Sequence, residues 1–196
     1  MPRAIHGGTV SIMDRAATDT IRGHALMFLR TVEDRTQARE VRAFACKVVD
    51  WALYFGPDEQ VVTEILGVLR RAIDRDDEPP LLLLHALGPT ASSDPGVSAG
   101  LLQLGEHALE LGRTCALARI IRTLAGPHRV GPSGETVRAS ARWIRALVGT
   151  ASPDDVSGEV LSAVGPWLRD KHGDVESVRD MLGDPDAWIN AYAQRL

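Results

Sequence analysis

Asp-Pro and Ser-Pro steps recur along this chain at intervals that leave room for helices and little else. Proline suits the first helical position because its missing N–H has no partner there anyway, and a preceding Ser or Asp caps the free donors. The pattern appears at Asp94-Pro95-Gly96, Ser152-Pro153-Asp154 and Asp184-Pro185-Asp186, with a related Gly56-Pro57-Asp58. Each is followed by apolar residues at helical spacing. After Pro57 come Val62, Ile65, Leu66, Leu69 and Ile73; after Pro95 come Val97, Leu101, Leu104, Ala108 and Leu111, with Gly112 as a stop. After Pro185 come Trp188, Ile189, Tyr192 and Leu196.

The same test predicts helices over 18–32, 36–54, 113–125 and 135–148, and a short one over 174–182. In the second of these, Val41, Phe44, Ala45, Val48, Val49 and Ala52 read as the apolar face. A helix after Pro153 carries Val156, Val160, Val164 and Leu168, and Gly165-Pro166 should kink or split it. Only Thr9-Val10-Ser11-Ile12 alternates like a strand, and four residues without a partner run make no sheet. Residues 88–96 and 126–134, rich in Gly, Pro and Ser, read as loops. The expected class is all-α, about eight to ten helices in an irregular bundle or a short α-solenoid. Residues 1–16 are expected to form a loosely ordered arm and 17–196 a single domain.

Composition narrows the function classes. With 196 residues, 44% of them hydrophobic and 24% charged, the chain can bury a sizeable core. Its longest apolar run, Pro79 to Leu84, is far too short to span a membrane. No basic, apolar and small-residue succession at the N-terminus reads as a secretory signal. Cys46 and Cys115 make no disulfide framework and read as buried thiols, so a cytoplasmic setting is expected. A net charge of −4 argues against a general polyanion binder. Of 22 basic residues, all but Lys47 and Lys171 are arginine, which lowers the weight of any single one.

One motif repeats. Val41-Arg42-Ala43-Phe44-Ala45 and Val137-Arg138-Ala139-Ser140-Ala141 share Val-Arg-Ala-x-Ala, and Val178-Arg179 returns 41 residues after Val137. The pattern resembles the second-helix signature of HEAT and armadillo repeats. That resemblance implies a right-handed stack of helix pairs with a concave binding surface. It also implies a valine in the core, small residues at helix crossings and an arginine that ties one repeat to the next.

Charge is unevenly spread. Residues 31–80 hold 11 acids and 7 bases, and 151–196 hold 9 acids and 4 bases. Between Arg113 and Arg145 stand seven arginines and one acid, Glu135. Arg138, Arg142 and Arg145 form a stripe at i, i+4, i+7, and Arg119 and Arg122 are neighbours on the preceding helix. Side by side, these five would offer guanidinium forks to carboxylates or phosphates. The plainer alternative is that they pair with the protein's own acidic C-terminal segment or face water.

Catalytic and metal signatures are missing from the sequence. No His-x3-His, Cys-x2-Cys or Glu-x2-His spacing occurs, so no metal site and no cofactor are expected. Gly131-Pro132-Ser133-Gly134-Glu135-Thr136 fails as a phosphate loop because Glu135 stands where lysine is needed. No nucleophile elbow is present and no catalytic residue is assigned. The cluster Trp51-Ala52-Leu53-Tyr54-Phe55 reads first as core or a helix-end plug and second as an exposed anchor. The sequence therefore points to a non-enzymatic helical module that docks a protein partner, an acidic one if the arginines serve. An all-α enzyme or small-molecule binder, built from separated groups such as His85, His107 and Glu110, stands as the alternative. Nucleic-acid binding through the arginine stripe is a weaker second, since only 5% of residues are aromatic.

Overall fold

A computed structural model describes residues 7–55, 58–91, 93–125, 133–149, 156–169 and 185–194. The described backbone is all-α. Its helices are α1 (Gly7–Glu33), α2 (Arg39–Phe55), α3 (Glu59–Arg75), α4 (Leu83–Ala91), α5 (Pro95–Glu110), α6 (Thr114–Leu124), α7 (Gly134–Val148), α8 (Gly158–Arg169) and α9 (Pro185–Gln194). A 3-10 turn, Pro79–Leu82, leads into α4. No described helix is long and apolar enough to cross a membrane.

Helices pack on their neighbours one and two places along the chain. α1, α3, α5 and α7 follow one another in one layer, and α2, α4, α6 and α8 follow one another in a second. Among the described residues, successive helices from α1 to α8 alternate between the two layers, and α9 packs on α8. The apolar faces meet between the layers, where Ile65, Leu69, Leu87, Leu101, Leu117, Ile120, Ile121 and Trp143 are fully buried. Small residues let the helices close up. A Cβ added to Gly105 would sit 2.2 Å from the Trp143 ring, so α5 and α7 approach through that glycine.

Capping follows the Asp-Pro punctuation at α5, where Pro95 is the first helical residue, whereas α3 is capped by Asp58, one place after Pro57. Asp94 caps α5 by accepting from the backbone N–H of Gly96 (2.7 Å) and Val97 (3.3 Å). Asp58 caps α3 through Val61 N–H, and Ser133 caps α7 through Thr136 N–H. Gly112, at φ 65°, turns the chain after α5.

Four expectations need correction. The alternating segment Thr9–Ile12 is helical, because α1 begins at Gly7 and not near residue 18. The loop expected over 88–96 shrinks, since α4 runs through Pro89 to Ala91. Proline there forfeits one backbone hydrogen bond, and burial of Leu83, Leu84, Ala86, Leu87 and Ala91 outweighs it. α8 starts at Gly158, with the Ser157 hydroxyl accepting from Val160 N–H, and continues through Gly165-Pro166 unsplit. Finally, Val41 and Phe44 are not core residues. α2 buries Arg42, Ala45, Cys46, Val49 and Leu53. In the cluster 51–55, Leu53 joins the core and Ala52 packs against it, whereas the aromatics Trp51 and Tyr54 are exposed. The helix expected over 174–182, the loop 126–132, Val178-Arg179 and residues 1–6 lie outside the described residues.

Candidate functional site

A groove of about 710 Å³ lies between the 3-10 turn, α4, α6 and α8 of the even-numbered layer. Its floor is apolar: Leu81, Leu82 and Leu84 come from the 3-10 turn and α4, Pro89 from the end of α4, and Ala118 from α6. Polar groups stand around it, with His85 on α4, Arg119, Arg122 and Thr123 on α6, and Glu159 and Ser162 on α8. The run of leucines exists to bury α4, and the turn of the helix leaves Leu82 half outside at 42% exposure.

Arg119 sits at the centre of an ion network. One of its terminal nitrogens donates to Glu78 Oε1 at 2.8 Å and to Glu159 Oε1 at 3.0 Å, while Arg39 donates to the other Glu78 oxygen at 2.7 Å. Burial alone would lower the Arg119 pKa, but the hydrogen bond and charge of Glu159 outweigh it and leave it raised. Burial pushes the Glu159 carboxyl up, and the Arg119 guanidinium overrides this and holds it below its ordinary range. Cys115 lies alongside; burial first, and then its hydrogen bond to Glu159, pushes its thiol up to about 11.

Glu78, Cys115 and Glu159 bring their ligand atoms within 4.8 Å of one another. A divalent ion there would have to displace Arg119 from both carboxylates and strip a proton from a thiol that holds it strongly. The two carboxylates therefore serve as the counter-charge for Arg119, with the neutral Cys115 thiol alongside.

The five arginines singled out by the sequence do not form one patch. α6 and α7 are neighbours, but they belong to different layers. Arg119 and Arg122 line the groove. Arg138 and Arg142 line a separate hollow of about 600 Å³ against α5, together with Glu106 and Glu135. Arg142 pairs with Glu106, which also accepts from Trp143 Nε1 at 3.2 Å. Arg145 is exposed on the same helix. Arg119 is thus tied to Glu159 on α8, and Arg142 of the stripe to Glu106 on α5. Arg122 is exposed at the groove and no salt bridge joins it to a described residue.

The histidines also separate. His85 Nδ1 lies 3.3 Å from Asp50 of α2, and His107 Nε2 lies 2.5 Å from Asp74 of α3. Each has its own carboxylate, and Glu110 joins neither pair. Sequence reasoning missed Leu82, Glu78, Glu159 and Ser162. Only the amphipathic excess of leucine over 81–84, one more than a single helical face needs, hinted at an apolar floor. No protein family, no curated protein and no solved structure matches this chain.

Proposed function

We propose that the chain is a HEAT-like helical interaction module, without catalytic activity, whose even-numbered layer docks a segment of a partner protein. The layered order of the hairpins supports the repeat-like reading, and two free cysteines fit a reducing, cytoplasmic setting. The observation that carries the proposal is the groove: an apolar floor of leucines beside a guanidinium, Arg122, that no salt bridge ties to a described residue. Such a surface fits an amphipathic segment that lays apolar side chains on Leu82 and Leu84 and offers a carboxylate to Arg122. Nucleic acid fits less well, because Arg119 and Arg142 are spent on internal acids.

A small-molecule binder is the second reading, since a volume near 710 Å³ lies in the range of ligand pockets. Site-specific photocrosslinking from Ser162 in the native host separates the two. The docking reading expects a cross-linked peptide rich in acids and apolar residues, lost in Arg122→Glu and Leu82→Asp. A small metabolite recovered from the same position would favour the second reading. A yield untouched by both substitutions would overturn the docking reading.

A further inference from the structure

Among the described residues, α2 of the first hairpin carries exposed apolar side chains on the side away from the other helices. α2 packs on α1, on the 3-10 turn and on α4, all toward one side. Its buried residues Arg42, Ala45, Cys46, Val49 and Leu53 mark that side. At about 100° per residue, Phe44 and Trp51 lie opposite it. Val41 is 44% exposed, Phe44 63%, Trp51 73% and Tyr54 85%. Contiguous exposed apolar surface of this kind marks an interaction site.

The spacing on this face says what kind of partner fits. Val41, Phe44, Val48 and Trp51 fall at intervals of three, four and three residues, the seam of a two-helix coiled coil. A two-fold axis crossing α2 level with Cys46 sets an antiparallel copy so that Trp51 meets Val41 and Phe44 meets Val48. Every layer then joins an aromatic ring to a valine, the large-with-small alternation that fills an interface without voids. A seam that is its own complement is what an isologous dimer requires. We propose that this face is covered by a second copy of the chain, through an antiparallel α2–α2 contact.

The area suits a weak dimer. With 150–250 Å² per aromatic side chain, the exposed fractions of Phe44 and Trp51 present roughly 200–340 Å² per copy. Two copies, with Val41, Val48 and the polar rim added, fall in the range of weak, concentration-dependent contacts, below about 1,200 Å². Glu40 and Lys47 rim the seam on one side, which leaves the contact soluble when open. The inference uses neither the groove nor Arg122 and stands apart from the docking proposal.

Sedimentation equilibrium of the full chain across the micromolar range tests it. A monomer–dimer equilibrium is expected, weakened at least about 100-fold by Trp51→Glu or Phe44→Glu, with helical circular dichroism unchanged because both positions are exposed. Register is read with a short bismaleimide on single variants. Lys47→Cys should link to itself, since the two copies lie beside the axis. Glu40→Cys should not, its copies being about 18 Å apart along the helix at 1.5 Å per residue. A wild-type chain that stays monomeric, a dimer indifferent to both glutamate variants, or self-linking of Glu40→Cys would each overturn the proposal. So would a different protein that occupies this face of a monomeric chain and is released by Trp51→Glu.

Discussion

Residues 41–45 in α2 and 137–141 in α7 share four of five letters and bury opposite halves of the motif. In α2 the valine is exposed and Arg42 is 6% exposed; in α7 Val137 is buried and Arg138 faces water. The variable position inverts too, with Phe44 outside and Ser140 fully buried. The buried face has turned by one residue, about 100° around the helix axis. α2 belongs to the even layer and α7 to the odd one, so the copies are not equivalent places in the stack. Arg42 is tolerated inside because partners are waiting. It donates to the Val32 carbonyl at 2.7 Å and grips Asp77 with both ends of its fork. Arg138 has no such partners among the described residues. A short motif records which residue types meet a helix crossing, and the neighbours decide which of them goes in.

Arg42→Ala should break this contrast most severely. It strands the nearly buried Asp77 carboxylate and the Val32 carbonyl, so urea unfolding should show a loss of about 3–5 kcal/mol. Arg138→Ala should stay within about 0.5 kcal/mol. Equal losses would mean that the two arginines do the same job after all.

Next comes the valine pair. Val137→Ala should cost about 1.5–3 kcal/mol, and Val41→Ala a fraction of that in the monomer. Ser140 sharpens the comparison in the other direction. Its hydroxyl is buried and has no hydrogen-bond partner among the described residues. Ser140→Ala should therefore raise stability by about 1 kcal/mol, whereas Phe44→Ser should leave monomer stability nearly unchanged. A destabilised Ser140→Ala protein would reveal a partner for that hydroxyl.

The smallest effects are in titration. Burial pushes the Cys46 thiol up to about 12, against the pull of the Arg42 charge. At pH 8 its thiolate is then on the order of one part in 10⁴, so thiol reagents should modify Cys46 only on unfolding, and faster in Arg42→Ala. Asp58 is the more open counterpart of Asp77. Burial raises its carboxyl, but the hydrogen bonds from Arg22 and Val61 N–H win and hold it below the ordinary range. With the folded value below the unfolded one, its contribution is complete above about pH 4 and fades as pH falls through the lower folded value. Asp58→Asn should lower stability at neutral pH and flatten the acid limb of a stability–pH curve. A parallel curve would show that Arg22 and the cap do not favour the charged form.

Much of the helix pattern was readable in advance because its signals are local. Proline and Asp at 94–95, the apolar spacing after Pro57 and the stop at Gly112 act within a turn or two of the backbone. Misreadings came where burial competed with such signals. Pro89 stayed helical because five neighbours are buried, and Trp51 went outside because α2 had already committed Ala45, Cys46, Val49 and Leu53 to the core. The arginines were visible by type and not by company. Glu78 and Glu159 lie about 40 residues from Arg119 on either side, and Glu106 lies 36 residues before Arg142.

The chain by itself determined that it would be helical, roughly where each helix starts, and which residues are apolar enough to be buried, because capping and periodicity are properties of a few consecutive residues. Tertiary structure alone decided which arginine is buried, which aromatic ring meets water, and that the leucines over 81–84 floor a groove. Those outcomes depend on the rotation of each helix against partners distant in sequence, and that rotation is set by the packing of the whole stack.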